Sequence, residues 1–181
     1  MHPRFLYDLE NCGIRRALDI LGGKWTLLVL REAFYGVRRF DDFARALGCG
    51  RGVLSARLKT LTEAEVLKLK TYTVPGGRMR LEYCLTAKGR DLYPALLALS
   101  QWSDRWAPPP HGPVARVTEH ASGRPVTVVM TSESVRGLTF DDLAITMGPG
   151  AKPLAAASVS HGASAPEGMS VLDAKEFRLG R

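Results

Sequence analysis

Between Phe40 and Ala64 two short helical patterns are separated by only Gly48-Cys49-Gly50, and a pair of strand-like segments follows at once. Phe40, Phe43 and Leu47 recur at helical spacing, with Asp41 and Asp42 placed early, where carboxylates suit the helix dipole. The next helix is predicted over Arg51–Ala64. Its Leu54, Leu58 and Leu61 fall together at about 100° per residue and must face a core. Two short helices joined by a glycine-containing turn make a helix-turn-helix candidate. The arc opposite the leucines holds Gly52, Ser55, Ala56 and Lys59, with Arg51 in the first turn and no acidic residue from Arg51 to Thr62. Small residues let a helix approach base edges closely, while Arg, Ser and Lys supply donors that bases and phosphates accept. The competing reading is a solvated face, which more typically interleaves Glu with Lys.

Val66–Thr73 and Arg80–Thr86 are rich in β-formers, and Val74-Pro75-Gly76-Gly77 between them is turn chemistry. Lys68, Lys70, Arg78 and Arg80 make this hairpin basic. Directly after a reading helix it has the form of a wing that would touch the minor groove or its flanking phosphates. The alternative is an ordinary exposed hairpin whose charges protect its edges. Upstream, helices are predicted over Cys12–Leu21, with Asn11 as N-cap and Gly22-Gly23 as stop, and over Lys24–Tyr35, ended by Gly36. Downstream, Thr86 is expected to cap one last helix reaching Trp106, with Pro94 kinking it. Its Leu92, Leu96, Leu99, Trp102 and Trp106 form an apolar stripe larger than a small winged helix can cover. A two-helix dimer interface would bury it, as would the C-terminal segment.

Charge supports the nucleic-acid reading. Residues 1–107 hold 18 Lys+Arg against 11 Asp+Glu, so the whole formal net charge of +7 lies there, and residues 108–181 are balanced at 7 against 7. A basic field confined to one unit suggests a polyanionic partner, double-stranded DNA, although a solubilising surface would look the same by charge alone. Cys12, Cys49 and Cys84 are widely spaced, which argues against a disulfide scaffold and fits the cytoplasm. No apolar run approaches the roughly 20 residues of a membrane span. The histidines pair with no carboxylate at a useful spacing, no phosphate-loop, nucleophile-elbow or zinc-protease pattern occurs, and no catalysis, cofactor or metal is expected.

The run Arg16-Ala17-Leu18-Asp19-Ile20-Leu21-Gly22-Gly23-Lys24-Trp25-Thr26-Leu27-Leu28 resembles the opening of the HxlR family of bacterial regulators. The same order continues through Arg39-Phe40, Val53-Leu54-Ser55-Ala56-Arg57-Leu58-Lys59, Tyr83-Cys84-Leu85-Thr86-Ala87-Lys88-Gly89 and Leu99-Ser100-Gln101-Trp102, covering roughly residues 12–106. The resemblance implies a dimeric winged helix related to MarR-type regulators, with the reading helix at Arg51–Leu61 and the wing near Val74–Arg80. It also implies that Cys12, at a helix N-terminus near Arg15 and Arg16, is a candidate sensor of oxidants or electrophiles. A buried inert thiol is the other reading of a lone cysteine. Two positions depart from the family pattern: Glu65 stands where a glycine is usual before the first wing strand, and Leu69 where a basic residue is common. Glu65 is expected to lengthen the helix or tilt the wing.

At 181 residues the chain can hold one well-packed domain plus an appendage. The expected fold is mainly α with a β-hairpin wing, a winged helix-turn-helix over 1–107. A small irregular or β C-terminal extension over 108–147 and a flexible tail over 148–181 follow it. Val114–Thr118 and Val126–Thr131 are strand candidates, Leu138–Leu143 a turn or single helical turn, and Val171–Leu179 a final short helix. The stretch from His120-Ala121-Ser122-Gly123 to Ser134-Val135-Arg136-Gly137 resembles a zinc-ribbon-like module without its cysteines. The expected function is a homodimeric, sequence-specific transcription regulator, a repressor on a palindromic operator, controlled by a thiol-reactive signal or a small-molecule effector. Arg51, Gly52, Ser55, Ala56 and Lys59 would read DNA, with Lys70, Arg78, Arg80, Arg38 and Arg39 on the wing and its flanks. Trp25, Phe34, Tyr83, Tyr93 and Trp102 would line an effector pocket, unless they are simply core. The alternative is an effector-binding or protein-interaction module of winged-helix form without specific DNA binding.

Overall fold

The computed structural model describes residues 10–73, 78–132 and 137–151. The first four helices are α1 (Gly13–Leu21), α2 (Lys24–Phe34), α3 (Phe40–Leu47) and α4 (Arg51–Glu63). Strands β1 (Leu67–Thr73) and β2 (Met79–Leu85) follow as an antiparallel pair, in register from Leu67 opposite Leu85 to Thr73 opposite Met79. The N-cap of α1 is Cys12 and not Asn11, because the backbone is already helical from Gly13. The core of this part is assembled from one face of each element: Val29, Leu30 and Phe34 of α2, Phe43 of α3, Leu54, Leu58 and Leu61 of α4, and Val66 and Leu67 entering β1 are all buried. The leucine face predicted for α4 is therefore the buried one. The α3–α4 turn closes on Gly48, left-handed at φ 60°, whose amide reaches Ala44 O at 3.0 Å. No helix among the described residues is long and apolar enough to cross a membrane.

The junction between α4 and β1 is where the expectation for Glu65 changes. The helix is not lengthened; it stops at Glu63, with Ala64 as C-cap. Glu65 takes φ 58°, the left-handed conformation that suits glycine. Its amide bonds Thr62 O at 3.0 Å and the Val66 amide bonds Leu61 O at 2.9 Å, the two bonds of a Schellman stop, while Leu61 and Val66 are both buried beside it. A non-glycine residue in this region costs roughly 1–2 kcal/mol, partly offset by the lower backbone freedom of its unfolded state. Glu65→Gly is accordingly expected to raise the unfolding free energy by about 0.5–1 kcal/mol in urea titrations; a loss of stability would mean that the Glu65 side chain contributes a contact of its own.

Beyond β2 the single long helix expected from Thr86 to Trp106 is two helices, a short α5 (Ala87–Arg90) and α6 (Tyr93–Trp106). The break at Asp91-Leu92 puts Pro94 in the first turn of α6, where its missing N–H costs nothing. Thr86 is the N-cap, but of α5: its Oγ1 accepts the Gly89 amide at 3.0 Å and donates to Glu65 O at 2.6 Å. Lys88 Nζ reaches Ala64 O at 2.8 Å. One threonine and one lysine thus satisfy carbonyls at the end of α4 and tie it to the end of the hairpin.

The chain gathers into two compact units divided between Tyr93 and Pro94. In the second, β3 (Ala115–Glu119) pairs antiparallel with β4 (Leu143–Met147), which follows a 3-10 turn at Phe140–Asp142. Thr139 and Asp142 cap that turn reciprocally, Thr139 N and Oγ1 reaching Asp142 Oδ2 at 2.8 and 2.7 Å. Strand β4 was not anticipated from the sequence. Conversely, Val126–Thr131 forms no strand, although Val126 N bonds Val117 O at 3.0 Å next to a bridge between Thr118 and Pro125. Instead the Gln101 side chain of α6 holds this segment, its Nε2 donating to Val126 O at 2.8 Å and its Oε1 accepting Val128 N at 3.0 Å. The hairpin tip Val74–Gly77, the Ser134–Arg136 part of the ribbon-like stretch and the predicted helix Val171–Leu179 lie outside the described residues.

Candidate nucleic-acid interface

With Leu54, Leu58 and Leu61 buried, α4 has to present its other side outward. Arg51, Gly52, Ser55, Ala56 and Lys59 are all exposed. Two of the cations are already engaged. Arg51 lies over the Phe40 ring at 4.7 Å and its Nη1 meets Asp41 Oδ1 at 3.0 Å, so it bridges α4 to the start of α3. Lys59 Nζ is 3.7 Å from Glu63 Oε1, one turn on. Exposed pairs of this kind are weak and exchange readily for a phosphate. Thr60 and Thr62 direct their hydroxyls back to Ala56 O and Leu58 O, at 3.0 and 2.8 Å, and so offer no free donor to a ligand.

The hairpin has two unlike faces. Lys68, Lys70 and Tyr72 of β1 stand opposite Cys84, Glu82 and Arg80 of β2, making one polar face. Lys68, Lys70, Arg78 and Arg80 are exposed. The segment before α3 joins this face at the edge of β2: Tyr83 N donates to Arg38 O at 2.8 Å, Arg38 Nη1 stands 3.8 Å from Glu82 Oε1, and Arg39 covers the Tyr72 ring at 4.8 Å. Arg38, Arg39, Lys70 and Arg80 are thereby gathered on one side. The other face carries Leu69, Leu81 and Met79, exposed, so the departure at Leu69 continues an apolar ladder and removes no cation from the basic side.

The cysteines take distinct settings. Cys12 is half-buried at the N-cap of α1, with Arg15 and Arg16 exposed in the first turn. Cys84 lies half-buried on the polar face, because it pairs with Lys68 and alternates with the core-facing Leu85. Its thiol points to Glu82 Oε1 at 3.6 Å, and burial, followed by the Glu82 charge, pushes it above the ordinary cysteine value. Such a thiol is a poor thiolate at neutral pH.

The aromatic residues nominated for a pocket occupy several environments. Phe34 and Tyr93 meet edge to face at 4.8 Å, and burial, with Tyr35 adding to it, pushes the Tyr93 phenol upward. Tyr83 contacts Phe43 at 6.3 Å, Trp25 lies half-buried under Lys24, and Trp102 is 64% exposed. Among the described residues, no three His, Cys, Asp or Glu side chains gather where they could hold a metal. Sequence reasoning passed over Arg57. It lies on α4 between the nominated Ala56 and the buried Leu58 and turns toward the Gly23 end of α2.

A family model described as HxlR-like helix-turn-helix matches residues 20–111, which span α2 to α6 and include the whole interface just described. The chain belongs to the HxlR-like helix-turn-helix family. Among relatives of this HxlR-like chain is an uncharacterised HTH-type transcriptional regulator of Mycobacterium tuberculosis, 44% identical over 117 residues, which are 65% of this chain and 73% of the relative. Another, from Synechocystis, is 38% identical over 96 residues, 52% of this chain and 70% of that one. The crystal structure of PA1607, described as a candidate transcription factor, matches with a TM-score of 0.58 at 33% identity over 86% of this chain and 96% of that chain. The match to PA1607 therefore reaches past the HxlR-like segment into the C-terminal unit.

Proposed function

We propose that this HxlR-like chain is a cytoplasmic transcription regulator that binds operator DNA as a homodimer, with α4 in the major groove and the β1–β2 hairpin against the adjacent backbone. The observation that carries this reading is the exposed arc of α4, small and polar at Gly52, Ser55 and Ala56 and cationic at Arg51 and Lys59, rigidly backed by three fully buried leucines. The basic face of the hairpin supports it, and so do the relatives, which are named as HTH-type transcriptional regulators. The dimer is supported by apolar side chains left open on two helices: Ile14 and Leu18 on α1, and Leu99, Trp102 and Trp106 on α6. Two copies related by a two-fold axis would present two reading helices to a palindrome, and repression follows if that palindrome overlaps a promoter. Selection from a random duplex pool at physiological salt should enrich a palindrome whose half-sites lie about one helical turn apart. A pool that stays random would remove DNA reading as the function.

Control through Cys12 is the finer part of the proposal, supported by its place at a helix N-terminus beside two arginines, both of which favour the thiolate. Diamide or a quinone should release the selected duplex from the wild type and leave Cys12→Ser bound. An equal response from both proteins rules out Cys12 as the sensor.

A further inference from the structure

Two buried side-chain polar atoms of the described chain have no hydrogen-bond partner, Thr26 Oγ1 and Arg57 Nε. Both belong to side chains that meet at one place. A methyl group built on Gly23 would stand 3.3 Å from Thr26 Oγ1, 3.5 Å from Arg57 Cζ and 3.6 Å from Arg57 Nη1. Thr26 is wholly buried. Gly23 is the N-cap of α2, an 11-residue helix, with no side chain to offer the first turn. Its φ of −134° and ψ of 139° suit any residue, so the backbone there does not require glycine; a β-carbon there would instead press on the Thr26 hydroxyl and the Arg57 guanidinium. Ser, Thr, Asp or Asn would ordinarily close such an end, and glycine leaves the Lys24 and Trp25 amides without an acceptor inside the helix. Among the described residues, no carboxylate pairs with Arg57, and Lys24 is exposed at the rim.

A guanidinium, an unpartnered hydroxyl and two open amides at the positive end of a helix dipole form a donor set that selects an oxyanion over water. We infer that this is a phosphate site, occupied by one phosphodiester of the DNA strand that borders the groove entered by α4. The inference rests on the reading of α4 as the DNA-reading helix. Arg57 lies on the flank of α4 between its buried leucines and its exposed arc, and Ala56 beside it belongs to that arc. A phosphate held there would fix the reading helix in register without itself discriminating bases.

Thr26→Val and Arg57→Gln test it, read by affinity for the selected duplex, by thermal unfolding, and by amide shifts of Lys24 and Trp25 during titration with inorganic phosphate. Thr26→Val keeps the shape and removes a hydroxyl that has no partner in the free protein, so its melting temperature should hold or rise. Its affinity for the duplex should nevertheless fall about five- to tenfold. Arg57→Gln should lower affinity at least as far and flatten the salt dependence by about one unit of slope. In the wild type, phosphate should shift the Lys24 and Trp25 amides, and in both variants it should not. Phosphate shifts confined to the wild type, with duplex binding unchanged in the variants, would keep the oxyanion site and make its ligand a free phosphate, overturning the DNA assignment. Unchanged duplex binding together with no phosphate shift in any protein overturns the site altogether. If the wild type selects no duplex, the functional reading fails, and the phosphate titration still decides the site.

Discussion

Gly89→Ala is expected to destabilise the fold by about 3 kcal/mol or more, although alanine is the better helix former. Gly89 lies inside α5, and in an exposed helix the replacement would gain about 1 kcal/mol. Here the added methyl would stand 2.2 Å from Val66 O and 3.1 Å from Leu85 Cδ2. The carbonyl cannot retreat cheaply. It already accepts the Thr86 amide at 3.1 Å, and the Val66 amide is tied to Leu61 O in the stop of α4. The overlap with backbone outweighs the propensity gain, since overpacking against atoms that cannot repack lies at the costly end of core substitutions. Urea and thermal unfolding of Gly89→Ala provide the measurement. A melting temperature within about 2 °C of the wild type would show that α5 can slide away from Val66 and that the junction is softer than its geometry implies.

Lys59→Glu is expected to lower affinity for the selected duplex about 100-fold or more while leaving the fold intact. The residue lies on the exposed arc, opposite the leucines, and its only described partner is Glu63, in a pair exposed on both sides. Reversing the charge removes a donor facing bases or phosphates and places two carboxylates one turn apart on the surface turned to a polyanion. Ser55→Glu should behave alike, because it sets a carboxylate on the arc without touching the core. Fluorescence anisotropy at fixed salt measures the affinity, and circular dichroism melts check that folding is unchanged. If either variant binds as tightly as the wild type, the arc does not face DNA and the orientation of α4 on the duplex is wrong.

The helices from α1 to α4 were legible because their determinants are local. Leucine spacing oriented α4, and the glycines at 22, 23, 36 and 48 marked where helices stop. What was not legible depends on contacts distant in sequence. The stop between α5 and α6 carries no proline or glycine of its own; α5 is held where Gly89 fits under Val66, 23 positions earlier. Glu65 was expected to lengthen the helix or tilt the wing and is instead the helix's left-handed terminus, a conformation that the surrounding bonds impose on a residue that does not prefer it. Val126–Thr131 has strand composition, yet β3 pairs with β4, and the segment meets β3 through Val126 N and α6 through the Gln101 side chain. In the interface, residue types could be read, but their mutual neutralisation, Arg51 with Asp41 and Lys59 with Glu63, could not. Arg57 was overlooked because nothing in its spacing shows that it turns toward the start of α2.

The bonds from Thr86 and Lys88 to the end of α4 make α4 and the hairpin two jaws of one calliper. On the proposed function, the distance between the groove entered by α4 and the backbone touched by the hairpin is then a fixed length. One base pair inserted between those two contacts would displace the second by about 3.4 Å and rotate it by roughly a tenth of a turn. A protein built this way would change its target by exchanging letters along α4 and would tolerate almost no change in spacing. Within the gene family it belongs to, divergence in operator choice should accumulate on the exposed arc of that helix, while the jaw setting is inherited.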